Sequence, residues 1–194
     1  MGEGEGSDLR FEWLREKRQA FDELPRSFPN LLTAGFVLDD VTSRKTPTYN
    51  CIAYAAKDEN QPWWPSPALA GIRYYHWPEG LPRESTPTAR NFIRAFESLG
   101  YKQCRDGTRE WGYEKVAIYV DTNEVPTHMA RELGDGVWCS KLGNEQDIRH
   151  HVLTAVENPA YGQAKYFLRK PLARYPKWKR ALGNLLRLLG ISRG

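Results

Sequence analysis

Along this chain the spacing of apolar positions switches between a helical and a strand period. Between residues 8 and 24, Trp13, Leu14, Phe21 and Leu24 form the partial apolar face of a charged helix, with Asp8 as its cap and Pro25 as its stop. Residues 86–99 predict a second helix: Ala89, Phe92, Ile93, Phe96 and Leu99 share one face, Thr86 caps, Pro87 takes the first helical position and Gly100 ends it. The pattern then becomes extended. Lys115 to Val120 reads as a strand, Asp121 to Glu124 as a turn, Val125 to Leu133 as the returning strand, and Val137 to Leu142 as a third, an antiparallel meander with short connections. In the second strand His128, Ala130 and Glu132 alternate against Thr127, Met129, Arg131 and Leu133, and the apolar signal does not choose which set faces the core. Residues 143–147 read as a loop capping a short helix that holds His150 and His151, and residues 161–168 as a final strand.

The ends differ in character. Residues 1–7 are acidic and glycine-rich and read as mobile, and residues 1–29 as an N-terminal tail and helix. Residues 171–194 form a basic amphipathic unit in which Trp178, Leu182, Leu185 and Leu189 make a stripe beside Lys177, Lys179, Arg180 and Arg187. Docking of that stripe on its own domain is the favoured reading, because tertiary packing is the usual fate of such a face. Contact of residues 177–190 with an anionic membrane surface is the alternative. Between the ends, residues 30–170 are expected to fold as one α+β domain, a helix packed on the antiparallel meander with helices flanking it.

The candidate chemistry lies in TYNCIAYAA, residues 48–56. Pro47 keeps the backbone extended before it, Asn50 is a strong N-cap, and Cys51 falls in the first turn of an apolar helix, where free backbone N–H groups favour a thiolate. A cysteine so placed with a histidine brought from elsewhere is an arrangement for nucleophilic catalysis. A small buried hydrophobe is the plainer reading of Cys51. Of the histidines, His128 lies in mid-strand, where a rigid backbone can hold an imidazole, and is the expected base, with His150 the rival. Asp147 is expected to orient the imidazole, with Asn50, Ser140 and Asn144 as supporting polar groups. In QPWWPSP, Trp63 and Trp64 lie between prolines and read either as a wall of a substrate cleft or as a lid on the core, and the lid is favoured.

Composition narrows the partners. The chain has 194 residues and a net charge of +4, which permits an anionic partner without demanding one. Cys51, Cys104 and Cys139 are an odd number at long, irregular spacings with no CxxC pair or Cys/His cluster, which argues against a structural zinc site, and no cofactor or metal is expected. No basic run or recognised motif points to nucleic acid. No apolar run is long enough to span a bilayer, and the first residues lack the apolar core of a secretory signal. A reduced, cytoplasmic setting is therefore expected, with peripheral membrane association or delivery as an effector left open.

A cysteine at a helix start followed by an antiparallel sheet carrying a histidine resembles the papain-like superfamily, whose compact bacterial branch includes the NlpC-type and CHAP-type peptidases and amidases. In the NlpC-type pattern the histidine opens a strand of the form HVGIYVG; here Glu114 and Lys115 hold that register and the histidine falls on the next strand, at His128. The chain is more closely similar to an uncharacterised bacterial domain family of unknown function. That resemblance rests on TYNCIAYAA, the WWP loop, FIRAFESLGYKQC, EKVAIYV, PTHMARELGDGVWCSKLG and DIRH, in that order, over about residues 30–170. The superfamily resemblance implies a cysteine hydrolase or acyltransferase acting on a peptide or amide substrate through Cys51 and His128. The alternative is a non-catalytic binding module of the same fold, recognising a protein partner or an anionic surface.

Overall fold

The computed structural model describes residues 3–67 and 75–173. Among the described residues four α-helices, α1 (Glu3–Ser27), α2 (Asn30–Thr33), α3 (Cys51–Ala55) and α4 (Ala89–Ser98), precede six strands. The strands are β1 (Lys102–Cys104), β2 (Tyr113–Val120), β3 (Pro126–Glu132), β4 (Trp138–Lys141), β5 (Asp147–His150) and β6 (Gln163–Pro171). They form one sheet in the order β1-β6-β2-β3-β4-β5, every neighbouring pair antiparallel. The molecule is thus α+β, and the expected meander is present as β2-β3-β4, extended by β5.

Both faces of this sheet are covered, which is why β3 gave no clean alternation in the sequence. Val116, Ile118 and Met129 point to a layer made by α3, α4, Trp63 and Trp77. Ala117, Tyr119, Ala130, Trp138 and Ile148 point to a layer made by Ala20 and Leu24 of α1, Leu31 of α2 and the turn at Ala155 and Val156. Seven consecutive residues of β2, Glu114 to Val120, are buried, Glu114 and Lys115 included. The return of β6 against β2 depends on Gly162. Its φ is +68°, and a Cβ there would lie 1.9 Å from the Val120 carbonyl oxygen, so any side chain would push the two strands apart.

Several sequence expectations shift. The first helix does not stop at Pro25 but runs to Ser27, because a proline in the last turn removes a single hydrogen bond and the helix ends two residues on. Its start lies at Glu3 rather than Asp8, so the stretch expected to be mobile is helical; nothing in that glycine-rich sequence explains this. The cap of α4 is Thr88, not Thr86, because the Asn91 side-chain oxygen takes the Thr88 amide at 2.8 Å and hydroxyl at 2.6 Å. Cys104 is in the edge strand β1 rather than a turn. The short helix expected around His150 is instead β5, paired along its length with β4, with Gly143 at φ +60° turning the hairpin. The helix expected over residues 177–190 lies outside the described residues.

Candidate functional site

Asn50 builds the start of α3 and ties it to the tryptophan loop. Its Oδ1 accepts the Ala53 and Trp63 amides, each at 3.1 Å, while its Nδ2 donates to the Trp63 carbonyl at 2.7 Å. Cys51 is therefore the first residue of a capped turn, and it is buried. The backbone N–H groups of Met129, Cys51 and Ile52 favour its thiolate, and Lys141 adds a weaker pull, but burial outweighs them and pushes the thiol up to about 11. At rest it is a neutral thiol.

A charged group surrounds it on the same face of the sheet. Lys141 and Asp147 face each other across the β4–β5 pair, with 4.0 Å between Nζ and Oδ1. Tyr49 donates to the other Asp147 oxygen at 2.6 Å, the Lys141 amine donates to the Glu145 carbonyl, and that amine stands 5.2 Å from the Tyr49 ring centre. Burial pushes the Asp147 carboxyl up and the Lys141 amine down, and their mutual attraction opposes both shifts.

The histidines occupy the other face. His128 pairs with Tyr119 across β2–β3, and its ring lies flat against Tyr161 with centres 4.1 Å apart. Its Nε2 is 3.1 Å from Ser140 Oγ, and the same oxygen is 2.9 Å from His150 Nε2. His150 Nδ1 in turn is 2.8 Å from the Val152 carbonyl oxygen. All three side chains are buried. Burial, the largest cause for both rings, holds His128 down to about 3 and His150 down to about 4, so both imidazoles are neutral at pH 7. His128 Nδ1 is buried and has no hydrogen-bond partner among the described residues.

Cys51 and His128 thus approach the same part of β3 from opposite faces, the thiol at the Met129 amide and the imidazole one residue earlier. No hydrogen bond joins them. The ladder between β3 and β4 reaches only to Ala130 and Ser140, so beside Met129 and His128 no strand pairing closes the sheet on that side.

The other expected site residues fall as follows. Asp147 contacts Tyr49, Ser43 and Lys141 and no imidazole; it shares the thiol's face because β5 is a strand, so the partner that engages the imidazole is Ser140. His150 has both ring nitrogens engaged, which leaves it no free nitrogen to act as the base. Asn144 is exposed in the β4–β5 turn. Trp63 is buried, donating to Asp58 at 2.8 Å and packing on His76, and the half-buried Trp64 meets Phe92 edge-on. The bridge from Ser140 to His150 escaped sequence reading, although once β5 is read as a strand, alternation alone puts His128, Ser140 and His150 on one face.

An open cavity of about 640 Å³ lies at the far end of α3, lined by Lys57, Glu59, Glu114, Arg131, Leu133 and residues 170–173. Among the described residues no group of three or more His, Cys, Asp or Glu side chains is placed to hold a metal ion, and no helix is long and apolar enough to cross a membrane.

A family match covers residues 40–169, and so contains α3, the thiol, the imidazoles and the sheet except the last two residues of β6. The chain belongs to the family described as a domain of unknown function, DUF7689. No curated protein and no solved structure matches the chain. The DUF7689 segment begins after α1 and α2, so the helices that cover the imidazole face lie outside the matched residues while α3 lies within them.

Proposed function

We propose that this DUF7689 domain is a cysteine hydrolase of peptide-like amides on a papain-like scaffold, with Cys51 as nucleophile and His128 as base. The observation that carries the reading is the unpartnered Nδ1 of His128, next in sequence to the residue whose amide meets the Cys51 sulfur. A buried imidazole with one nitrogen tethered leaves the other's lone pair to accept a proton, and substrate entry must also raise its proton affinity from the resting value of about 3. Attack by Sγ on the substrate carbonyl carbon forms the carbon–sulfur bond as the thiol proton passes to Nδ1. Collapse of the tetrahedral intermediate breaks the carbon–nitrogen bond, and the same proton leaves with the amine. Water then cleaves the thioester, with Nδ1 taking its proton and returning it to sulfur. Because thiol and imidazole are both neutral at rest, the base acts during attack instead of holding a preformed ion pair. Entry of substrate must part the contacts that seal the sulfur and free His128 from Tyr161, so that Nδ1 reaches the thiol past the unpaired stretch of β3 from the opposite face of the sheet.

The alternative is a binding module, and the sealing of the thiol favours it: a neutral sulfur buried in the core is inert, whereas the charged cavity at the other end of α3 is open. The two readings separate on one experiment. A peptidyl chloromethyl ketone is incubated with the protein and adducts are located by mass spectrometry. The hydrolase predicts alkylation at Cys51 that persists in Cys104→Ser and Cys139→Ser and falls at least tenfold in His128→Gln. An unmodified Cys51, or alkylation indifferent to His128, overturns it and leaves the binding module.

A further inference from the structure

We infer that the Val152 carbonyl, acting through His150 and Ser140, dictates which nitrogen of His128 carries the proton, so that Ser140 and His150 are positioning residues for the base. The inference deepens the hydrolase reading and takes its functional meaning from it, but it rests on geometry that stands by itself.

A carbonyl oxygen can only accept. At 2.8 Å from Val152 O, His150 Nδ1 must therefore carry a hydrogen. In a neutral imidazole the other nitrogen is then a lone pair, so His150 Nε2 accepts. Ser140 has a single hydroxyl hydrogen and gives it to His150 across 2.9 Å. Its oxygen is left to accept on the opposite side, and the donor there, at 3.1 Å, is His128 Nε2. His128 is consequently the Nε2–H tautomer and its Nδ1 is a lone pair. The bare nitrogen is thus the basic one. One protonation pattern satisfies every contact in this chain, and the group that fixes it is a main-chain oxygen two side chains away from the base. Burial of all three side chains keeps water from offering alternative partners.

The relay makes a directional claim about two substitutions. Ser140→Ala cuts it in the middle and frees His128 to populate both tautomers. His150→Leu removes the acceptor for Ser140, whose hydroxyl then donates to His128 Nε2 and moves the proton to Nδ1. Long-range proton–nitrogen correlation spectra of the ¹⁵N-labelled protein near pH 7 read the tautomer directly, with His128 assigned by its loss in His128→Gln. The wild type is expected to show a protonated Nε2 and a pyridine-type Nδ1, Ser140→Ala intermediate shifts at both nitrogens, and His150→Leu the inverted pattern. A wild-type His128 protonated at Nδ1 overturns the inference, as does a tautomer unchanged in Ser140→Ala. Should His150→Leu not fold, the wild type and Ser140→Ala decide the matter. The readout is independent of turnover: a confirmed tautomer with an unreactive Cys51 removes the hydrolase and keeps the relay, while the wrong tautomer with a reactive Cys51 removes the relay and Nδ1 as the base and keeps only Cys51 as the nucleophile.

Discussion

Around the thiol and around the imidazole, the central sheet buries polar groups by opposite means. The α3 face holds charges in opposed pairs: Lys141 with Asp147, Arg131 with Glu59, Lys57 with Glu114. Around His128 the opposite, α1 face holds a neutral chain, His128 to Ser140 to His150 to the Val152 carbonyl, with the buried Lys115 paired to Glu110 farther along β2 on that face. Charge inside a protein is tolerated only when paired, whereas a neutral imidazole requires only that its hydrogen bonds be met. One nitrogen in the neutral chain is left unmet, and it is the one nearest in sequence to the thiol's strand contact. The division teaches that the thiol and its proposed base are prepared separately. The charged face lends Cys51 a weak pull toward thiolate, and the neutral face keeps His128 unprotonated.

Breaking the charged face should have the largest effect. Lys141→Met leaves Asp147, among the described residues, with Tyr49 and Ser43 as its side-chain partners, and an uncompensated buried charge typically costs about 3–5 kcal/mol. Urea denaturation is expected to show a loss of that order, with much of it recovered in Lys141→Met/Asp147→Leu. An unchanged midpoint in the single variant would mean the pair is solvated and the charged face is not a buried one.

Acid should break the neutral face. Both imidazoles titrate lower in the folded chain than their ordinary 6.5, at about 4 for His150 and about 3 for His128. The unfolded chain therefore binds protons first, so stability is complete above pH 6.5 and falls as the pH drops toward 4, by about 1 kcal/mol per pH unit for each ring. Asp147 and Glu132, whose carboxyls are raised mainly by burial, work in the opposite direction below neutral pH. The comparison is therefore made against His128→Gln/His150→Gln, whose thermal melts between pH 7 and 4.5 should be flatter than wild type. Equal slopes would show that the rings are not buried neutral.

Cutting the relay is a milder insult. Ser140→Ala removes one hydroxyl and leaves two buried nitrogens without it, an expected loss of about 1–3 kcal/mol by chemical denaturation. A loss below about 0.5 kcal/mol would mean that water replaces the hydroxyl. The smallest effect belongs to Arg131, whose guanidinium lies 3.6 Å from the Tyr54 ring centre and donates to the Tyr54 carbonyl at 2.6 Å. Arg131→Lys keeps the charge and loses the planar stack, which should cost about 1 kcal/mol in the same measurement. A larger loss would make the α3 end of the charged face a principal support of the fold.

What the sequence revealed follows from how local each signal is. Asn50 as the cap of α3, the helix ending before Gly100 and the three strands from β2 to β4 are written in neighbouring residues, and they were legible. The β5 strand was not, because DIRH has no period long enough to distinguish four strand residues from a helical turn, and its assignment depends on pairing with β4. That one misreading moved His150 and Asp147 to the wrong surroundings and hid the relay. Which face of β3 receives α3 was equally illegible, since burial on both sides erases the alternation that would have marked it. Cys51 and His128 were therefore readable as candidates, while their approach from opposite faces was not.

The central claim is that thiol and imidazole meet at β3 when substrate is present. A crystal structure of the protein with a peptide aldehyde bound to Cys51 tests it most directly. The account predicts a hemithioacetal at Cys51 with His128 Nδ1 within hydrogen-bond reach of the adduct, about 3 Å, and Nε2 still held by Ser140. An adduct formed while Nδ1 stays sealed on the α1 face, or no adduct at all, would contradict it.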